Sequence, residues 1–279
     1  MPTDEELWSD DVSPAWERYR DRLFEAQRGV SEWLVDEVDP QPGETILELA
    51  AGPGETGFLA AARVGPTGKL LSTDLGAGMV EAARRGAAAT GLDNVEARIM
   101  DAQQIDLPDG SVDAVICRYG LMLMPAPDLA LQGARRVLRD GGRLAYSVWA
   151  APDRNPWLSL LAMAVVQNGH QPPGDPFSPG GVFSLPQPAD NVALLEAAGF
   201  DDVRAEELPG TFGYESFDDY WTIQTAVSGP LAVLISSLAQ DEVAAIRSSL
   251  LTMLEPFESG GRYELPSLAI GAAARVSSP

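Results

Sequence analysis

A carboxylate set just ahead of a glycine turn is the first feature of this sequence that could do chemistry. In Ile46-Leu47-Glu48-Leu49-Ala50-Ala51-Gly52-Pro53-Gly54-Glu55-Thr56-Gly57 an apolar strand runs into small residues and then into a helix. Small residues let a ligand approach the backbone closely. The start of the helix presents unpaired N–H groups. Glu48, inside the strand, places a carboxylate where it can meet an ammonium group. A second acid, Asp74, ends Leu70-Leu71-Ser72-Thr73-Asp74, and a carboxylate at that point suits a ribose diol. Gly52 to Gly57 also satisfies Gly-x-Gly-x-x-Gly, so a dinucleotide fingerprint competes for the turn. Two facts weigh against an NAD(P)-linked oxidoreductase. Pyrophosphate gains nothing from the charge of Glu48, and Lys69, the sole lysine, leaves no Tyr-x-x-x-Lys pair.

The elements that must hold these residues can be read from the pattern around them. Strands are expected at 44–50, 69–74, 94–100, 112–118 and 142–149, with helices near 55–64, 77–90 and 126–138. Short apolar strands alternating with helices of this length predict a parallel sheet covered by helices on both faces. Pro108-Asp109-Gly110 and Asp140-Gly141-Gly142 punctuate it as turns. Residues 1–40 read as an amphipathic helical lid marked by Trp8, Trp16, Tyr19, Leu23 and Trp33, broken at Asp39-Pro40-Gln41-Pro42-Gly43. Residues 41–150 form the ligand-binding core. Residues 151–279 complete the sheet, with helices at 156–169 and 187–199, a loop at 171–186, a strand near 202–209 and a last strand at about 262–276. A helical insertion at about 216–257 precedes the last strand and is expected to cover whatever molecule binds beside the core's ligand.

Composition narrows the partners. Asp and Glu number 41 against 19 Lys and Arg, for a net charge of −22 over 279 residues. Such a field repels phosphate backbones and anionic membrane surfaces, so neither nucleic acid nor membrane is an expected partner. Cys117 is alone, which excludes an intrachain disulfide and a multi-cysteine zinc site; no metal is expected. Met1-Pro2-Thr3-Asp4-Glu5-Glu6 lacks the basic-then-apolar order of a signal peptide, and the apolar stretch 157–166 is too short to span a bilayer. A cytoplasmic location is expected. The sequence leaves self-association as a homodimer open.

The ordered set of motifs resembles the class I S-adenosylmethionine-dependent methyltransferases over roughly residues 40–150. The likeness is to the small-molecule type that includes ubiquinone and menaquinone methyltransferases. It implies a Rossmann-like, seven-stranded, mostly parallel sheet and S-adenosylmethionine as cofactor. Glu48 would meet the methionine amino group, with Ala50, Gly52 and Gly54 against the methionine portion. Ala50 stands where the family usually has glycine. Asp74 would bind the ribose, Leu75 and Met79 would flank the adenine, and Asp101-Ala102 would read it; Arg118, closing the fourth strand, joins the cofactor set. Leu107 to Val115 and Arg135 to Gly142 resemble the family's runs into its fourth and fifth strands.

Each of these residues also has an ordinary structural reading. Glu48 could be a buried acid closing a local turn. Asp74 could cap the next helix, and Asp101 could stabilise its own turn. Met79 could be plain core. On the acceptor side, Tyr119 follows the fourth strand, where open α/β sheets place ligands. Trp149, Trp157, Phe177, Tyr220 and Trp221 could line an apolar acceptor pocket or pack as core, and Trp16 and Tyr19 could close a lid over it. His170, the only histidine, could act as a general base or sit solvated in a surface loop; it and Tyr119 are the catalytic candidates. The implied reaction is methyl transfer to a small, apolar or aromatic O, N or C acceptor, driven mainly by alignment of nucleophile, carbon and sulfur. A non-catalytic or repurposed cofactor-binding protein would keep Glu48 and Asp74 yet need no acceptor alignment.

Overall fold

A computed structural model describes residues 13–277 of the chain; Trp8 and the acidic opening residues lie outside them. The aliphatic runs become strands β1 (Thr45–Glu48), β2 (Lys69–Asp74), β3 (Val95–Ile99), β4 (Val112–Arg118) and β5 (Leu138–Trp149), followed by β6 (Asp201–Tyr214), β7 (Glu258–Ser259) and β8 (Arg262–Arg275). Their order in the one sheet is β3-β2-β1-β4-β5-β8-β6, with β7 added against β8. The pairs among β1 to β5 are parallel, and β8 runs antiparallel between β5 and β6. Seven strands thus make the mostly parallel sheet, and two-residue β7 is a hairpin turned on Gly260 and Gly261, both at positive φ.

Helices flank this sheet: α1 (Ser13–Ala26), α2 (Arg28–Val38), α3 (Glu55–Val64), α4 (Ala77–Thr90), α5 (Pro127–Val137), α6 (Pro156–Gln167), α7 (Pro188–Ala197), α8 (Phe217–Val227), α9 (Pro230–Ser237) and α10 (Gln240–Leu254). Val30, Leu34, Val35 and Val38 recur at helical spacing and are buried, so α2 presents one apolar face to β4, β5 and β8. Each such side chain contributes roughly 1.5–3 kcal/mol by leaving water. Residues 112–117 of β4 are all buried, as the centre of a parallel sheet covered on both sides requires. Pro156, Pro188 and Pro230 open their helices, where the missing N–H has no intrahelical partner to lose.

Two boundaries differ from the sequence expectation by more than two residues. β6 runs through Pro209-Gly210 to Tyr214 instead of ending at 209. It is the edge strand, where proline removes no needed ladder bond. β5 begins at Leu138, and the Asp140-Gly141-Gly142 turn is absorbed at a register irregularity against β4. The expected insertion at 216–257 resolves into α8, α9 and α10, ending in a short helical turn at Glu255–Phe257.

The consequence for the site lies in the strand order. β1 is followed outward by β2 and β3 on one side, and by β4 and β5 on the other. The order reverses between β1 and β4, and ligands of open α/β sheets bind outside the carboxyl ends at such a switch point.

Candidate active site

Beyond β1 the chain leaves the sheet through a turn that needs unusual backbone. Ala50, Gly52 and Gly54 have φ of +49, +56 and +94. A left-handed alanine costs roughly 1–2 kcal/mol, so its surroundings must hold it. They do: the Ala51 N–H donates to Thr73 O at 2.9 Å and the Gly54 N–H to Ala51 O at 3.1 Å. A Cβ built on Gly52 would meet nothing within 4 Å; the turn faces open space there. Across the switch point Tyr119 is also left-handed, at φ +57. A Cβ on Gly120 would lie 2.4 Å from that of Ala50, so the ends of β1 and β4 are pressed together. Backbone outliers of this kind gather at ligand sites.

Three acids flank the turn in different ways. Glu48 is 2% exposed. Its Oε1 accepts the Gly57 N–H at 2.8 Å and its Oε2 the Ser72 hydroxyl at 3.2 Å. Burial pushes its carboxyl up to about 8, against the pull of the Gly57 N–H and the Arg118 charge. Asp74 accepts the Gly52 N–H at 2.8 Å through Oδ2 and the Gly76 N–H at 2.9 Å through Oδ1. Burial raises its pKa too, while these backbone bonds lower it. Asp101 accepts the Gln103 N–H at 2.8 Å, the local turn that sequence reasoning weighed for it. Each carboxylate oxygen has more than one acceptor direction, so Asp74 and Asp101 keep capacity for a ligand.

A cavity of about 210 Å³ opens over the turn. Of the residues singled out in the sequence, it brings together Ala50, Gly52, Asp74, Leu75 and Met79 with Asp101, Ala102, Arg118, Tyr119 and Trp16. The helix α1 closes it, adding Arg20, Leu23 and Phe24 to Trp16. Sequence reasoning missed Arg20 and Phe24. The signal was available: positions 16, 20, 23 and 24 fall on one helical face. It also missed Met100 and Gln103 after β3 and Leu123 to Pro125 after β4, which no spacing links to the turn.

Other singled-out residues lie outside these walls. The Glu48 carboxyl and Gly54 stand behind the turn, where a Cβ on Gly54 would lie 2.8 Å from the Phe58 ring. Trp149 backs the wall, its ring stacked on Tyr119 at 3.9 Å between centroids. The stack continues through Trp157, 5.1 Å from Trp149, to Phe212 at 3.7 Å. Tyr119's hydroxyl donates to Gln27 Oε1, and burial raises its pKa. Tyr220 is fully buried, donating to Trp157 O at 3.1 Å. Trp221 carries the Arg247 guanidinium 4.8 Å from its ring, Tyr19 carries that of Arg18 at 5.4 Å, and Phe177 is exposed in the 171–186 loop. His170 is half-buried rather than solvated, its Nε2 3.6 Å from Glu242. No described residue of 216–257 lines the cavity: α10 packs on α6, and α8 on β6 and α1. A wider depression of about 760 Å³ sits at the amino ends of β2 and β3, where Lys69 pairs with Glu96 at 2.5 Å; it lies at the end of the sheet away from the switch point. Among the described residues no group of three His, Cys, Asp or Glu is placed to hold a metal, and no helix is long and apolar enough to cross a membrane.

Comparison with known proteins bears on this geometry. A family model described as a methyltransferase domain matches residues 40–165. The chain is 32% identical over 181 residues to the ubiquinone/menaquinone biosynthesis C-methyltransferase of Rhodopseudomonas palustris strain HaA2, covering 62% of this chain and 71% of that protein. It is 36% identical over 114 residues to the aklanonic acid methyltransferase of Streptomyces sp. strain C5, covering 41% and 52%. The chain spans about half the length, or less, of several curated relatives it matches. A SAM-dependent methyltransferase from Aquifex aeolicus superposes with a TM-score of 0.54 at 18% identity, covering 94% of this chain and 98% of that one. At that identity the likeness is one of fold.

Proposed function

Because the chain belongs to the class I S-adenosylmethionine-dependent methyltransferases, we propose that it transfers a methyl group from S-adenosylmethionine to a small organic acceptor held beside Tyr119. The observation that carries this reading is the cavity over a left-handed turn, with Asp74 on one side and Asp101 beyond it. The donor and acceptor set fits the cofactor. Asp74, fixed by the Gly52 and Gly76 N–H groups, would accept from the ribose diol. Leu75, Met79, Met100 and Ala102 give the adenine apolar faces, and Asp101 can accept from its exocyclic amine. The open space above Gly52 receives the methionine portion. When bound, the cofactor supplies a sulfonium-activated methyl carbon that needs no further activation.

The chain's own part is to orient and to exclude water. α1 closes the cavity through Trp16, Leu23 and Phe24. The strained backbone at Ala50 and Tyr119 brings the acceptor wall against the turn. Alignment of this kind supplies up to roughly 7–11 kcal/mol in ideal cases. No wall residue is a histidine, and Tyr119's hydroxyl is engaged and hard to ionise. The site therefore suits an acceptor that ionises readily or attacks through an activated carbon. The names of the relatives point to such molecules: an intermediate of ubiquinone or menaquinone biosynthesis methylated at carbon, and aklanonic acid. The charge of −22 supports an acceptor other than nucleic acid. The named relatives are methyltransferases, which disfavours nicotinamide chemistry. Mass spectrometry of candidate acceptors incubated with protein and S-adenosylmethionine tests the reading: gain of one methyl group with S-adenosylhomocysteine release supports it. Cofactor binding without transfer to any acceptor would point to a repurposed binding protein.

A further inference from the structure

We propose that Arg118, which the family resemblance implied for the cofactor set, serves the acceptor instead: it is the anion-recognising residue of the acceptor site, and the acceptor is an apolar or aromatic molecule bearing a carboxylate. This rests on reading the cavity as a methyltransferase site. Arg118 closes β4 and lines the cavity. It is half-buried, yet its guanidinium makes no ion pair and no hydrogen bond among the described residues. The other arginine in the wall differs: Arg20 Nε lies 3.3 Å from Glu55 Oε1. Two aromatic rings attend Arg118, with the Phe24 ring centroid 5.8 Å and the Tyr119 centroid 5.9 Å from its Cζ. Cation–π contact holds the guanidinium in place without satisfying its donors. The nearby acid Glu48 is felt by Arg118 only at a distance: no ion pair joins the two, and the Glu48 oxygens accept from Gly57 N–H and Ser72 Oγ. A partly desolvated, unpaired cation is unfavourable, and a ligand anion relieves it locally, against the long-range repulsion of a chain of charge −22.

Sheet order says which ligand. Along β3-β2-β1-β4 the adenine subsite at Asp101, the ribose subsite at Asp74 and the glycine turn follow one another. Arg118 comes next, past the turn, on the side where the acceptor must lie. The methionine end has its own donors at the start of α3, where the N–H groups of Glu55 and Thr56 are, among the described residues, free of the bonds that hold Gly57 and Phe58. A planar guanidinium beside two rings suits a planar carboxylate, which it can grip through two parallel bonds.

The test uses protein saturated with S-adenosylhomocysteine and titrated calorimetrically with 2-naphthoate and its neutral match 2-naphthamide. Wild type should bind the carboxylate about tenfold tighter than the amide, the scale of one charged hydrogen-bonded contact. Arg118→Gln should abolish that preference while S-adenosylhomocysteine affinity stays within about threefold, and Arg118→Lys should restore part of it. Equal binding of the two probes by wild type, no binding of 2-naphthoate, or a preference that survives Arg118→Gln each overturns the proposal. So does a collapse of S-adenosylhomocysteine affinity in Arg118→Gln, which would give the guanidinium to the cofactor's own carboxylate. The wild-type comparison stands even if a variant misfolds. Failure of wild type to bind S-adenosylhomocysteine is a separate result: it removes the cofactor reading, and this inference falls with it.

Discussion

The Glu48 carboxyl accepts the Gly57 N–H at 2.8 Å, which ties the end of β1 to the first turn of α3 from inside the sheet. The contact leaves no room above residue 57: a Cβ there would lie 2.1 Å from Glu48 Oε2 and 2.8 Å from Leu70. Gly57→Ala should therefore push the carboxyl or the helix start aside. A loss of about 1–3 kcal/mol in urea unfolding is expected, as for other overpacked cores, together with weaker cofactor binding. Unchanged stability would mean that the turn is not anchored through Glu48.

The same carboxyl gives the fold a pH dependence. Glu48 is pushed up to about 8 in the folded chain, from an ordinary value of 4.5. Between those values the folded state keeps a proton that the unfolded state has lost. Its contribution is thus complete below about 4.5 and lost as pH rises through about 8. Glu48→Gln should remove this slope, so that the variant gains stability relative to wild type from pH 5 to pH 8.5. A constant difference in Tm across that range would contradict the assignment. Binding of a cationic amino acid portion nearby should favour the ionised carboxyl, so cofactor binding near pH 7 should release protons, measurable from calorimetry in buffers of different ionisation enthalpy.

Asp74 meets the turn and the cavity at once. Asp74→Ala should weaken S-adenosylhomocysteine binding by about 1–3 kcal/mol. It should also loosen the turn, because the Gly52 and Gly76 N–H groups lose their acceptor. Asp74→Asn should keep more of the turn than of the affinity. If both variants bind like wild type, the ribose lies elsewhere.

Tyr119→Phe should keep the stack on Trp149 and lose only the bond to Gln27. Turnover is expected to change more than cofactor affinity, since Gln27 joins α1 to α2 and so sets the lid. Steady-state kinetics beside a cofactor titration checks this. Equal loss in both would make Tyr119 part of the cofactor wall.

Much of this arrangement was legible in the sequence, for local reasons. β2, β4, α3 and α4 fall on their expected residues because aliphatic runs between glycine turns leave few alternatives. Ala50, Gly52, Asp74 and Asp101 follow short strands whose carboxyl ends share one edge, so strand order alone gathers them. Pro209-Gly210 misled because a turn dipeptide is harmless on an edge strand, and only the sheet shows that β6 is the edge. Arg20 and Phe24 were hidden because their role depends on where α1 docks. Tyr220 and Trp221 were read as acceptor lining, yet β6, α6 and Arg247 occupy them, which depends on tertiary contacts that aromatic content cannot reveal.

The most direct test of the central claim is a crystal structure of the chain with S-adenosylhomocysteine. The ribose hydroxyls should lie within hydrogen-bond distance of Asp74, the adenine should sit between Leu75 and Ala102 with its amine toward Asp101, and the vacant methyl position should point to Tyr119. An empty cavity at saturating ligand, or density for the nucleoside away from the Ala50–Gly54 turn, would contradict it.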